Sequence, residues 1–420
     1  MTFKNKAYDE AYVWIWLPGE TTAVVAGKLT LDGTSILFNY GKSFLERSRA
    51  ISLYDKELPL MQGLQQPLGG LSMASCIRDA APDAWGRRVI LNSKFGRKGA
   101  SADTAQLSEL TYLLESGSDR IGALDFQLSA THYEPRSHHG ASLEDLIQAS
   151  ENVEKGISLS PDLSQALQNG TSIGGARPKA LIESGNKKFV AKFPLQTDIY
   201  SIVKAEFIAM TLAKLVGLQA ASVTLKKSLG KDVLLIERFD RLKSAQGWQR
   251  KSMISALTIQ LLDEMMARYA SYEDLAEKIR LSFSEPSKTL RELFSRMVFN
   301  ILCGNTDDHA RNHAAFWDGR ELSLTPAYDI CPQARTGREA SQAMLIFGQD
   351  RRSRLATCLE AAHRFLLNRE EALLIMKAQV DSIEEHWNHV CDLAELSEVD
   401  RNFFWQRQFL NSYAFEDFEL

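Results

Sequence analysis

CGNTDDHARNHAAF, residues 303–316, places two adjacent acids, two histidines and two asparagines between apolar ends. Three readings compete for it: a metal site, a general base with its supports, and a solvated turn. His309 and His313 stand four apart, one helical turn. HARNH lacks the glutamate of the H-E-x-x-H zinc motif, however, and no third histidine lies nearby. Asp307 and Asn312 are five apart, the spacing of base and metal-binding asparagine in the kinase signature H-R-D-x-x-x-x-N. LTPAYDICP supplies Asp329, 17 residues beyond Asn312, where a kinase carries its second metal ligand. One acid for the acceptor hydroxyl, then oxygen donors from Asn and Asp, is the order that magnesium-dependent phosphoryl transfer requires. Asp308 is assigned no role, and His313 reads as structural.

Phosphoryl transfer also needs a lid over the phosphates and a lysine to hold them. TSIGGARPKA (171–180) offers the lid, because Gly174 and Gly175 let backbone amides approach where a Cβ would obstruct. It is not a Walker A loop, and Gly-Gly before Pro is by itself an ordinary turn. FVAKF offers the lysine: in a strand Val190 and Lys192 share one face, while Phe189, Ala191 and Phe193 share the other. An ammonium inside an apolar strand is costly to desolvate unless it is paired or reaches solvent. Glu206, 14 residues on, is the candidate partner, in the strand-lysine to helix-glutamate manner of kinase sites.

The 420 residues are 45% hydrophobic and 24% charged, enough for two or three ordinary domains and unlike a disordered chain. A net charge of −4 does not suit coating nucleic acid by bulk electrostatics. The five cysteines, Cys76, Cys303, Cys331, Cys358 and Cys391, form no C-x-x-C pair and read as buried thiols in a reducing cytoplasm. MTFKNKAYDEAY has acids where a signal peptide has its apolar core, and AYVWIWL (11–17) is too short to span a bilayer, so a cytoplasmic chain with no membrane partner is expected.

The pattern divides the chain into a β-rich unit over 1–130, a linker over 131–165, a small α+β lobe over 166–245 and a mostly helical lobe over 246–420. AYVWIWL reads as a strand covered on both sides, and VVAGKLTLDGTSILFNY (24–40) as a hairpin around Asp-Gly. Residues 80–95 and 104–117 read as helices, as does SLEDLIQASENV inside the linker. His138-His139 read as a solvated linker pair. KALIES and KKFVAKFPL are strands, followed by the helix IVKAEFIAMTLAKLVGL and the strands VTLKKS and KDVLLIERFD. MISALTIQLLDEMMARY, KTLRELFSRMVFNILCG and 359–395 read as helices.

These residues together resemble the HipA family of bacterial serine/threonine kinases, the toxins of HipBA-type toxin–antitoxin modules. The resemblance rests on S-I-G-G-A-R-P-K, V-A-K-F-P, A-E-F-x-x-M-x-L-A-K-x-x-G-L, E-R-F-D-R, N-T-D-D-H-A-R-N and L-T-P-A-Y-D-I, in family order. The first 130 residues, closing in I-G-A-L-D-F, look like the family's amino-terminal subdomain. The fold implied is α+β and protein-kinase-like in two lobes, of the HipA/PI3-4-kinase type. ATP and Mg2+ are the implied cofactors.

Carried over position by position, the resemblance implies that Asp307 is the catalytic base and that Asn312 and Asp329 hold magnesium, with Tyr328 and His309 beside the nucleotide. Lys192 would contact the phosphates, supported by Glu206. Gly174, Gly175, Ala176, Arg177, Pro178 and Lys179 would form the lid. Glu237, Arg238 and Phe239 would form the hinge against adenine, with Asp240 near the ribose. Ser172 matches the serine whose autophosphorylation silences family members. The partners implied are a protein substrate such as an aminoacyl-tRNA synthetase and a HipB-like helix-turn-helix antitoxin, with DNA engaged only through the antitoxin. The competing reading is a catalytically silent binding protein acting as antitoxin co-repressor. Arg335, Arg338, Arg351, Arg352 and Arg354 are either a phosphate-contacting cluster or a solvated face.

Overall fold

The structure is a computed structural model, and it describes residues 8–96, 103–136, 141–168, 170–335 and 337–419. The His138-His139 pair lies outside the described residues. The first unit is an antiparallel sheet of β1 (Glu10–Ile15), β2 (Val24–Asp32), β3 (Ser35–Tyr40), β4 (Leu64–Gln65) and β5 (Leu124–Gln127), ordered β4-β3-β2-β1-β5. Val13 and Ile15 on one face and Trp14 and Trp16 on the other are all buried, so both faces of the β1 stretch are covered and AYVWIWL carries no polar alternation. Asp32 and Ser35 close the β2–β3 hairpin around Gly33, whose φ of +60° a side chain would resist. The helices Ala84–Phe95 and Glu109–Glu115 follow, both within the ranges read from sequence.

The second sheet is β6 (Lys179–Ser184), β7 (Lys187–Lys192), β8 (Val223–Ser228) and β9 (Lys231–Glu237), antiparallel in the order β6-β7-β9-β8. Alternation sorts its faces. Ala180, Ala191, Phe193, Val233 and Leu235 enter a core with Trp85, Leu146, Ile147 and Leu167. Leu234 and Ile236 join the main core with the helix Ile202–Leu215. The region 131–165 is therefore more than a linker. The helix Leu143–Glu154, started by a Ser142–Asp145 capping box, and the helix Pro161–Gln168 supply apolar side chains that cover the sheet's outer face.

The carboxyl-terminal lobe holds more strand than its composition suggests. A hairpin of β10 (Arg241–Ser244) and β11 (Gly247–Arg250) precedes the sheet β12 (Ser252–Ser255), β13 (Ala314–Trp317) and β14 (Leu322–Leu324). MISALTIQLLDEMMARY is thus not one helix. Its first residues pair with β13, and the Ser255 side chain then caps a single helical turn, Ala256–Ile259. A short apolar run cannot distinguish strand from helix by period alone, and here the pairing with β13 decides it. The helices Tyr272–Ser282, Pro286–Leu302, Leu355–Ala361 and Arg369–Leu393 build the rest, with Arg369–Leu393 packed along Ile202–Leu215. Among the described residues no helix is long and apolar enough to cross a membrane.

Candidate active site

A cleft of about 1190 Å³, including its open mouth, lies between the two lobes. Its floor on the sheet side is Val190, Lys192 and Ile236, and its far wall is His309, Asn312, Tyr328 and Asp329. Lys192 lies at the end of β7, on the face that alternation assigned to it. Its Nζ donates to Glu206 Oε1 at 2.6 Å and also to Asp329. Burial alone would lower the pKa of this lysine. The carboxylates of Asp329 and Glu206 outweigh that and hold its pKa above the usual lysine range. Asp329 is held down at about 2, because Lys192 and Lys179 overcome the opposing effect of burial. Glu206, fully enclosed in the Ile202–Leu215 helix, is pushed up by burial and by the Asp329 charge, against Lys192. Asp329 sits at φ +59°, a left-handed backbone that points to a constrained site.

The opening stretch forms the loop between the Pro286–Leu302 helix and β13. Asn312 Nδ2 donates to the Asp307 carbonyl at 3.1 Å, closing the turn with His309 N to Asp307 O at 2.9 Å and Asn312 N to His309 O at 2.8 Å. The five-residue spacing is therefore a hydrogen-bonded loop, and it leaves the Asn312 side-chain oxygen as a donor atom for a cation. Asp307 is exposed just outside the lining residues, and its pKa is raised by partial burial and by the Asp329 and Asp308 charges, against His309. Asp308 points away from the cleft. It is buried, accepts from the Tyr272 hydroxyl, and lies 2.9 Å from His313 Nε2. The histidine pair that suggested zinc is thus divided, with His309 in the cleft and His313 buried against Tyr272. Among the described residues no group of three or more His, Cys, Asp or Glu is placed to hold a metal.

The lid runs over 171–178 in irregular backbone. Gly175 has φ +108°, and a Cβ there would sit 2.2 Å from the Lys179 Nζ. Lys179 is buried, donates to the Gly174 carbonyl, and has its pKa lowered to about 8 by burial and by the charge of Lys192. Ala176 accepts from Arg88, Arg177 pairs with Asp198 at 2.5 Å, and the Pro178 carbonyl accepts from Phe193 N. Ser172, near the start of the lid, is buried, and its hydroxyl has no partner among the described residues.

At the hinge, Glu237, Arg238, Phe239 and Asp240 all line the cleft. Phe239 lies 5.6 Å, centroid to centroid, from Tyr328, whose hydroxyl donates to the Arg311 carbonyl. The Asp240 carboxylate accepts from Arg238, Arg241 and the Gly122 amide at 2.8–2.9 Å, which fastens the hinge to the amino-terminal subdomain. The five carboxyl-terminal arginines each have partners within the chain: Arg335 with the Arg338 carbonyl, Arg338 with Glu416, Arg351 with the Arg268 carbonyl, Arg352 with Asp350, and Arg354 with Asp417.

Two acids carry no signal in the sequence, Asp79 and Asp83, and a third, Asp308, is given its role only by the structure. Asp79, which also lines the cleft, accepts from Ser255 N and Oγ at 2.8 Å. Asp83 touches the lid, and Asp308 anchors the loop before β13. Each contacts residues distant in the chain, so local pattern gives no signal beyond the Pro-Asp start of a helix.

A lysine–glutamate pair on a strand and helix, an Asn and an Asp facing it across a cleft, and a glycine lid above together define a protein-kinase-like two-lobed fold. The chain belongs to the HipA family: residues 15–127 match the HipA N-terminal domain, and 171–387 match the HipA-like C-terminal domain. The HipA of Shewanella oneidensis MR-1, solved with HipB and its operator DNA, superposes with a TM-score of 0.65 at 17% identity, over 97% of this chain and all of that one. In sequence, the "Serine/threonine-protein kinase toxin HipA" of Shewanella oneidensis is 25% identical over 38% of this chain and 42% of its own length. The "Putative kinase Y4mE" of Sinorhizobium fredii is 27% identical over 34% of this chain and 33% of its own. The chain therefore spans well under two thirds of the length of these curated relatives.

Proposed function

We propose that the chain is an ATP- and magnesium-dependent serine/threonine protein kinase and the toxin of a toxin–antitoxin pair. The observation that carries this is the convergence of Lys192, Glu206, Asp329 and Asn312 on one cleft beneath a glycine lid. A silent scaffold has no physical need of a buried lysine held between two acids. The donor set fits the cofactor: Asn312 and Asp329 offer hard oxygens suited to magnesium, which would screen the phosphate charge as it develops. Lys192, kept protonated by Glu206, would hold the phosphates, and the Gly174–Gly175 amides would approach them from above. Asp307 accepts the proton of a serine or threonine hydroxyl. That oxygen bonds to the γ-phosphorus as the bond to the β–γ bridging oxygen breaks. Phe239 and Tyr328 would form the apolar wall for the base, with Glu237 to Phe239 at the hinge and Asp240 toward the ribose.

The family carries two finer expectations to this chain: a translation protein such as an aminoacyl-tRNA synthetase as substrate, and a HipB-like antitoxin as partner. The Shewanella HipA complex with HipB supports the second. Ser172 is the proposed autophosphorylation site. Because its hydroxyl is buried, the lid must leave before phosphate reaches it, and the added charge would keep it out. The test is quantitative phosphoproteomics of cells expressing the wild type against Asp307→Asn. The expected result is a growth arrest and a set of new phosphosites, Ser172 among them, seen with the wild type alone. Equal arrest and identical phosphosites with the variant would refute the kinase reading.

A further inference from the structure

Asp83 occupies the N-cap of the Ala84–Phe95 helix but makes no side-chain cap hydrogen bond. An N-cap aspartate ordinarily accepts from its own helix's first turn, which stabilises the helix. Here both oxygens are turned elsewhere. Oδ2 accepts from the Gly175 amide of the lid at 2.6 Å, and Oδ1 accepts from Arg311 of the catalytic loop at 3.1 Å. These partners lie 92 and 228 residues away. The approach is close enough that a Cβ on Gly174 would sit 2.8 Å from Oδ2. Glycine at 174 therefore makes room for this carboxylate as well as for a phosphate.

The same helix grips the lid and its exit into β6 at three more points. Trp85 N donates to the Gly175 carbonyl at 3.3 Å, Trp85 Nε1 to the Lys179 carbonyl at 3.1 Å, and Arg88 to the Ala176 carbonyl at 2.6 Å. A Cβ on Gly86 would meet the Thr171 carbonyl at 1.8 Å, so the helix backbone lies directly on the base of the lid. We propose that Asp83 is a positioning residue, a latch by which the amino-terminal subdomain holds the glycine lid down against the catalytic loop. The lid would then be set from outside the kinase lobes, and whatever shifts the Ala84–Phe95 helix would shift nucleotide binding with it. The nucleotide half of this statement rests on the kinase reading, and the lid half does not.

Asp83→Ser separates the latch from the cap. Serine caps a helix as well as aspartate does, but it is too short to bridge Gly175 and Arg311. Asp83→Asn keeps an acceptor for Gly175 and loses the charge toward Arg311. Hydrogen exchange is followed in the full chain without nucleotide, and MgATP affinity is measured alongside by calorimetry. For Asp83→Ser, lid peptides over 171–179 should exchange about ten-fold faster while those from β7 and Ile202–Leu215 stay unchanged, with Asp83→Asn between it and wild type. The KM for ATP should rise by a similar factor, with kcat changed less. Unaltered lid exchange in Asp83→Ser overturns the latch, as does acceleration spread evenly over the chain. If the wild type binds no MgATP, the kinase reading fails, and the exchange data still decide the role of Asp83.

Discussion

Asp307 can accept a proton only while ionised, and its surroundings work against ionisation. Partial burial and the charges of Asp329 and Asp308 raise its pKa, with His309 opposing. A raised value means that the base is lost sooner as pH falls. The rate of phosphate transfer should therefore hold a plateau near neutrality and decline on the acid side, with a midpoint above the ordinary aspartate value of about 3.9. Asp307→Asn should lower kcat by roughly a hundred- to ten-thousand-fold and remove that acid limb. A pH–rate profile of both proteins checks it, and a limb that survives in the variant would assign the titration to another group. The spacing of Asp307 and Asn312 is legible in the sequence, and the structure joins the two in one hydrogen-bonded turn. Glu206 was legible because a buried strand lysine needs an opposite charge. Asp83 was not, since an acid after proline at a helix start has an adequate local explanation.

The loop between the Pro286–Leu302 helix and β13 has one 3-10 turn, Ala310–Asn312, as its only regular structure among the described residues, so something outside its backbone must fix it. Asp308 does this, buried between the Tyr272 hydroxyl and His313 Nε2 and tying the loop to the Tyr272–Ser282 helix. Removing one member of a buried hydrogen-bonded set leaves the others unsatisfied. Asp308→Ala should cost about 2 kcal/mol, seen as a lower urea midpoint at unchanged slope. Because the loop carries Asp307, kcat should fall more than the affinity for MgATP, and an intact kcat would show that the loop is held by other means. Elements with a strong period were read correctly: the β2–β3 hairpin from Asp-Gly, β7 from its alternation, and the Ile202–Leu215 helix from its continuous apolar pattern. The misreading fell on MISALT, where the apolar Met253, Ile254, Ala256 and Leu257 fit either period and only the β13 partner selects strand at its start. Of the helices covering the outer face of the second sheet, Leu143–Glu154 is legible in SLEDLIQASENV, but Pro161–Gln168 and the packing of both are not, since polar linker composition gives no notice of the sheet they cover.

At the scale of the molecule, the amino-terminal subdomain is joined by charge to the segment that follows β9. Asp119 accepts from Arg238 and Arg241 at 3.0 Å and from Lys188 at 2.6 Å, while Arg238 and Arg241 also hold Asp240. Residues about 120 positions apart leave no local trace of such a pairing, which is why the sequence showed two neighbouring units and not their junction. Burial would raise the Asp119 pKa, but Arg238, Arg241, Arg250 and Lys188 together hold its carboxyl well below the usual range. A depressed folded value contributes stability that is present above the ordinary aspartate pKa of about 3.9 and is lost as pH falls below it toward the folded value. The protein should thus be acid-labile through this junction. Asp119→Asn leaves two buried guanidinium groups sharing Asp240 alone, and should cost about 3 kcal/mol at neutral pH. The loss of stability on acidification below pH about 5 should also be shallower in the variant, because the proton taken up by Asp119 on unfolding is no longer counted. Urea denaturation of wild type and Asp119→Asn at a series of pH values reads both quantities. Parallel stability curves, displaced by a constant amount across the acid range, would show that Asp119 does not carry the acid lability of the junction.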